Sequence, residues 1–178
     1  MRHKSHLGRE QARPTADRDT QQAPGREPYR VTDYPLHYFA AIQLQNQVNL
    51  ARRLRSIGVS VPMWRALAAL QQKDNQTIGE IAQLAVVDRS SLGRLLETMA
   101  KDGLVEREPL EDDRRAVSIR LSPAGRKLFE KGLPFVLHHY ERLLKGIPGE
   151  DLEILMRVLR RIKVNARMMA DVSDIEPQ

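Results

Sequence analysis

Three helix-start signals and one helix-stop signal lie between Ser60 and Gly103, and two short alternating segments follow at once. No other feature constrains this chain as strongly. Ser60 precedes Val61-Pro62, and a proline in the first helical turn sacrifices no hydrogen bond. Thr77-Ile78-Gly79-Glu80 has capping-box spacing, in which hydroxyl and carboxylate satisfy each other's unpaired backbone donors. Asp88 precedes a stretch whose Leu92, Leu95, Leu96 and Met99 fall on one side of a helix. Gly103 stands where that helix must end, as the residue that takes a left-handed conformation at least cost. Leu104–Glu108 and Val117–Leu121 then alternate around the polar PLEDDRRA, the pattern of a hairpin. The predicted order is helix, short helix, turn, longer helix, hairpin.

The flanks are helical as well. Leu36, Phe39, Ala40 and Ile42, then Val48, Leu50, Ala51 and Leu54, recur at helical intervals, with Asp33 as the expected N-cap and an end near Gly58. After the hairpin, Ser122-Pro123 opens a helix to about Gly132, which Phe135–Leu144 continues with a bend at Pro134. A last helix runs from about Glu150 to Met169, with Leu152, Leu155, Met156, Leu159, Ile162 and Ala166 along one side. Residues 1–28 carry almost no large apolar side chains and read as a disordered polar arm, and 173–178 as a tail. The expected fold is mainly α with a small β-hairpin wing. A winged helix-turn-helix domain occupies 59–131, and the flanks 29–58 and 132–172 are too apolar for solvated surfaces, so they read as dimerisation helices.

Composition narrows the function. Cysteine is absent, which excludes disulfides, thiolate catalysis and cysteine-based redox or metal sensing, and fits a cytoplasmic protein. No apolar run approaches the length of a membrane span, and the basic N-terminus lacks the apolar segment of a signal peptide. No phosphate loop, Rossmann glycine pattern, metal cluster or nucleophile–base set is present, so neither an enzyme nor a cofactor is expected. His138 and His139 are adjacent and point about 100° apart on a helix, which is wrong for chelation, and His3, His6 and His37 add no ligand spacing. The net charge of +6 favours a phosphate-rich partner, because Lys and Arg release counterions from such a polymer.

In a helix-turn-helix the first helix braces the second, whose N-terminal half enters the major groove of double-stranded DNA. The polar arc opposite Leu92, Leu96 and Met99 holds Ser90, Ser91, Gly93, Arg94, Glu97 and Lys101, with Arg89 at its start. Arginine can grip guanine bidentately and serine can bond phosphates or base edges. Arg89, Ser90, Ser91 and Arg94 are therefore the expected major-groove residues. Arg114 and Arg115 fall at the hairpin tip, with Arg120 lower on the return strand. Asp113 is expected to fold back within the tip and aim the arginines.

Residues Val59 to Leu128 resemble the MarR family of bacterial regulators without a gap. The likeness is carried by the Trp64-containing second helix, the DRSS start of the fourth, the KDGLVERE exit, and the DDRRA…LSPAG hairpin. It implies a homodimer on a pseudo-palindromic operator, with Asp113 and Arg115 as the family's wing pair and Ser90, Ser91 and Arg94 as its major-groove face. It also implies a small-molecule effector, an aromatic acid or its thioester, bound beside the dimer layer. Tyr38, Phe39, Ile42, Trp64, Arg65 and His139 are the pocket residues expected here, with Arg52, Arg53 or Arg65 for an anion. Val86 stands where relatives commonly carry Gly, so that turn must avoid positive φ or hold strain. Gly93 replaces a frequent Thr and Met63 a commonly polar residue. The expected function is a ligand-released repressor; the alternative is a ligand-independent architectural or protein-interaction winged helix.

Overall fold

The computed structural model describes residues 30–109 and 117–169. The chain divides into two units, 1–40 and 41–178. In the first, Val31–Asp33 forms a 3₁₀ turn and helix α1 (Pro35–Leu54) begins. Asp33 is not the N-cap of α1. Proline takes the first helical position readily but forces the residue before it out of the α region, and Tyr34 is accordingly extended at φ −102° and ψ 130°.

In the second unit α1 ends in a 3₁₀ turn, Arg55–Ile57, closed by left-handed Gly58. The three expected caps then form in sequence. The Ser60 hydroxyl accepts from the Met63 N–H at 3.2 Å at the start of α2 (Val61–Gln72). Thr77 and Glu80 make the full capping box of α3 (Ile78–Ala85). The Asp88 carboxylate accepts from the Ser91 N–H at 2.8 Å and opens α4 (Arg89–Lys101). Gly103 follows α4 at φ 69°, and the Leu104 N–H returns to the Met99 carbonyl at 2.8 Å.

Strands β2 (Val105–Pro109) and β3 (Val117–Leu121) pair antiparallel, with Arg107 opposite Ile119. A strand absent from the sequence reading, β1 (Gln76–Thr77), pairs with the other side of β3 and makes a three-stranded sheet in the order β1-β3-β2. Helix α5 (Pro123–Leu143) runs unbroken through Pro134, and α6 (Gly149–Met168) follows. No described helix is long and apolar enough to cross a membrane.

Two apolar clusters hold the second unit. Leu67, Leu70, Ile81, Leu92, Leu96, Met99, Ile119 and Leu121 join α2, α3, α4 and the sheet. Leu50, Leu54, Val59, Val61, Trp64 and Val136 fasten α1 and α5 to α2. Trp64 stacks on Phe129 at 5.0 Å and 6°. Gly132 lets α5 approach that indole: a Cβ there would lie 2.7 Å from the ring. Helix α6 buries none of its residues, and Ile154, Leu155, Met156, Val158, Val164 and Met168 are all exposed.

Candidate nucleic-acid interface

Helix α4 separates its faces as its sequence requires. Leu92, Leu96 and Met99 are fully buried, while Ser90, Arg94, Glu97 and Lys101 are exposed at spacings of four, three and four residues, which forms one stripe. Each end of α4 is anchored. At the start, the Ser91 N–H and hydroxyl, and more weakly the Ser90 N–H and Arg94's charge, hold the Asp88 carboxyl below its usual range. Glu80, which caps the bracing helix, is held at about 2, first by the Thr77 N–H and then by Lys73 and the Thr77 hydroxyl. At the exit, buried Ser122 donates to the Gly103 carbonyl at 2.6 Å and accepts from the Gly125 N–H at 3.0 Å. One hydroxyl therefore locks the end of α4 to the start of α5.

The turn between α3 and α4 resolves the choice that Val86 poses. Val86 adopts φ 53° and ψ 54°, a left-handed conformation, and is 75% exposed. Its neighbours impose this. The Val87 N–H bonds the Ala82 carbonyl at 3.1 Å and the Val87 side chain packs on the core, while Asp88 must reach back to cap α4. A β-branched residue in this region is strained.

Among the clefts of the second unit, two bear on the expected ligand residues. One, of about 580 Å³, is lined by Gln43, Asn46, Leu50, Trp64, Arg65 and Tyr140, and by Leu84, Ala85 and Val86 of the turn. The other, of about 590 Å³, has Arg52, Arg53, His139 and Arg142 among its walls.

Residues 59–117 match the sequence model of the MarR family. A transcriptional repressor of Pseudomonas putida, IacR, is 27% identical over 136 residues, 76% of this chain and 81% of that protein. The crystal structure of a MarR-family transcriptional regulator from Silicibacter pomeroyi is 27% identical and superposes with a TM-score of 0.70 over 84% of this chain and 96% of that one. Residues 59–117 form a MarR-family domain. Bordetella bronchiseptica BpsR, whose DNA binding is regulated by 6-hydroxynicotinic acid, shares the fold at 18% identity and TM-score 0.70, over 77% of this chain and 98% of that one.

On this fold the expected site residues take different places. Ser90 and Arg94 stand on the exposed stripe of α4. Ser91 is exposed, but its hydroxyl also serves the Asp88 cap. The Arg89 guanidinium reaches over α3, its carbon 3.9 Å from where a Cβ of Gly79 would be. Glu97 faces Arg107 at 3.9 Å. Arg120 is held by Glu106 at 2.5 Å and Glu108 at 2.8 Å across the strands. Asp113, Arg114 and Arg115 lie outside the described residues.

The expected ligand residues do not converge on one cavity. Trp64 and Arg65 line the first cleft and His139 the second, while Ile42 is exposed and lines neither. Tyr38 and Phe39 belong to the first unit, where Tyr38 meets His37 edge-on at 5.4 Å. His139 is 5% exposed and its Nε2 lies 2.6 Å from Asn46 Oδ1, so it holds α5 to α1. Asn46, Tyr140 and Leu84–Val86 were not expected as cleft residues, because their meeting depends on how the helices cross.

Proposed function

We propose that this MarR-family protein is a homodimeric transcriptional repressor that grips a pseudo-palindromic operator with α4 and its wing, and releases it when a small aromatic acid or its thioester binds. The observation that carries the DNA reading is α4 itself: a helix capped at both ends, its apolar side buried and its Ser90–Arg94–Lys101 stripe exposed. A rigid helix with one arginine near its start suits the major groove, and Arg114 and Arg115 would add backbone or minor-groove contacts. The name of the Pseudomonas putida relative supports repression.

The exposed apolar side chains of α5 and α6 support the dimer. Phe135 and Leu137 on α5, with Ile154, Leu155, Met156, Val158 and Val164 on α6, are exposed apolar side chains that a second copy would cover. A two-fold dimer matches a two-fold operator whose half-sites are about 34 Å apart. For the effector, the Trp64–Tyr140 cleft offers aromatic walls with the Arg65 guanidinium for a carboxylate, and BpsR answers to an aromatic acid.

Selection of bound duplexes from a random pool tests the whole reading. A palindromic consensus bound at nanomolar concentration, weakened at least tenfold by Arg94→Ala and released by an aromatic acid, is the expected result. Recovery of no consensus would favour the architectural alternative. A consensus bound equally by Arg94→Ala would remove α4 from the interface.

A further inference from the structure

The second cleft is positive on every charged wall. Arg52 and Arg53 enter it from α1 and Arg142 from α5, around Asn49, His139 and Leu143, and together they surround about 590 Å³. Elsewhere Arg107 faces Glu97, Arg120 has Glu106 and Glu108, and Arg126 has Asp74, while several other described arginines stand without a carboxylate partner. Among the described residues no carboxylate pairs with Arg52, Arg53 or Arg142. The acid next to Arg142 in sequence, Glu141, turns to His138 at 3.7 Å.

We propose that this cleft is a binding site for a phosphate-bearing small ligand, distinct from the Trp64–Tyr140 cleft, with Arg52, Arg53 and Arg142 as its anion grip. Three arginines from two helices line the cleft, and an anion there would offset their positive charge. One carboxylate cannot neutralise three, whereas a phosphate dianion offers three oxygens and accepts bidentate pairs from more than one arginine. The wall is prebuilt. His139, on the floor, is fixed to Asn46 at 2.6 Å, and Arg53 is half-buried rather than extended into solvent. Burial, and then the charge of Arg53, hold His139 below its usual pKa. The volume exceeds what one phosphate fills, and Leu143 gives an apolar wall for the rest of the ligand.

Titration calorimetry and thermal unfolding of the full chain in low salt, with inorganic pyrophosphate as the probe, test this site. Pyrophosphate is expected to bind once per chain and raise the melting temperature. Arg53→Gln and Arg142→Gln are each expected to weaken it at least tenfold, and Lys127→Gln, at an exposed position of α5 outside both clefts, to leave it unchanged. Equal binding by wild type, Arg53→Gln and Arg142→Gln would overturn the proposal. So would an absence of heat and of thermal shift. If the same two variants instead changed only the dimer equilibrium or only the retention of DNA, the arginines would belong to a subunit or duplex contact, and the ligand site would be refuted. The probe is small and needs no operator, so failure here leaves the α4 reading standing, and failure of Arg94→Ala to affect DNA leaves this one standing.

Discussion

Replacing Val86 with Gly should stabilise the protein although it removes a side chain. Val86 sits at φ 53° with three-quarters of its surface in water, so truncation forfeits little buried area. Holding an L-residue left-handed costs about 1–2 kcal/mol. Glycine avoids that cost but returns about 0.5–1 kcal/mol through the greater freedom of its unfolded chain. The net gain of Gly over Val is about 0.5 kcal/mol. Alanine is the decisive comparison: it keeps most of the left-handed penalty and loses the valine methyls, so Gly should exceed Ala by about 1 kcal/mol. Urea unfolding at one fixed protein concentration, with a shared slope for the three proteins, measures the order. At about 2–4 °C per kcal/mol for a chain of this size, the melting point of Val86→Gly should rise about 1–2 °C. Alanine equal to or above glycine would refute the strain argument, because only relief of the left-handed strain can outweigh glycine's greater freedom in the unfolded chain.

Gly125→Ala should be among the most damaging single changes, at about 3 kcal/mol or more, because its Cβ would lie 2.0 Å from the Leu104 carbonyl oxygen with backbone on both sides; chemical unfolding gives the value. Gly93→Ala meets nothing within 4 Å and should add about 1 kcal/mol of helix stability; if it also weakens operator binding, the duplex approaches the α4 backbone closely there. Acid unfolding should carry a contribution from Glu80, whose carboxyl is lowered from 4.5 to about 2. The folded state binds that proton more weakly than the unfolded chain does. The contribution is therefore complete above about 4.5 and drains away as pH falls toward 2, and Glu80→Gln should flatten stability over that interval. His139 works from the other side of neutrality. Its lowered pKa makes the unfolded chain the stronger proton acceptor, so its contribution is complete above the ordinary histidine value of 6.5 and declines below it, and His139→Gln should lessen that decline in a pH series.

What was legible in the sequence was local. Ser60, Thr77, Asp88, Gly103 and Ser122 each act on a backbone group a few residues away, and each does so in the structure. The burial of α4 follows from its own periodicity. Pro35 shows the same locality working against an expectation: the proline overrides Asp33 because it controls the conformation of Tyr34. Contacts made across long stretches of chain were not legible. Two-residue β1 exists because Gln76 meets Ile119 on β3, and the buried Gln76 amide is satisfied by the Ala69 carbonyl at 2.8 Å. Asp74 reaches the Leu121 N–H at 3.1 Å and pairs with Arg126, fastening the turn before α3 to the start of α5. His139 and Trp64 looked alike as pocket residues. Only the crossing of α1, α2 and α5 sends them to separate clefts.

The left-handed conformation of Val86 gains its meaning from where it falls. Leu84, Ala85 and Val86 form part of the wall of the Trp64–Tyr140 cleft, and Asp88, two residues further on, holds the first turn of α4. Under the proposed function, an effector in that cleft would touch the same short segment that aims the operator-reading helix, with no intervening element to transmit the shift. A strained turn suits that position, since relaxing it releases energy that an unstrained turn does not hold. The effect on DNA is still bounded by differential affinity. An effector can loosen the operator only by the factor by which the operator loosens the effector. For that reason the turn, and not the aromatic walls, should govern how large that factor is: Trp64 and Arg65 offer contacts, while Val86 stands two residues before the Asp88 cap of α4.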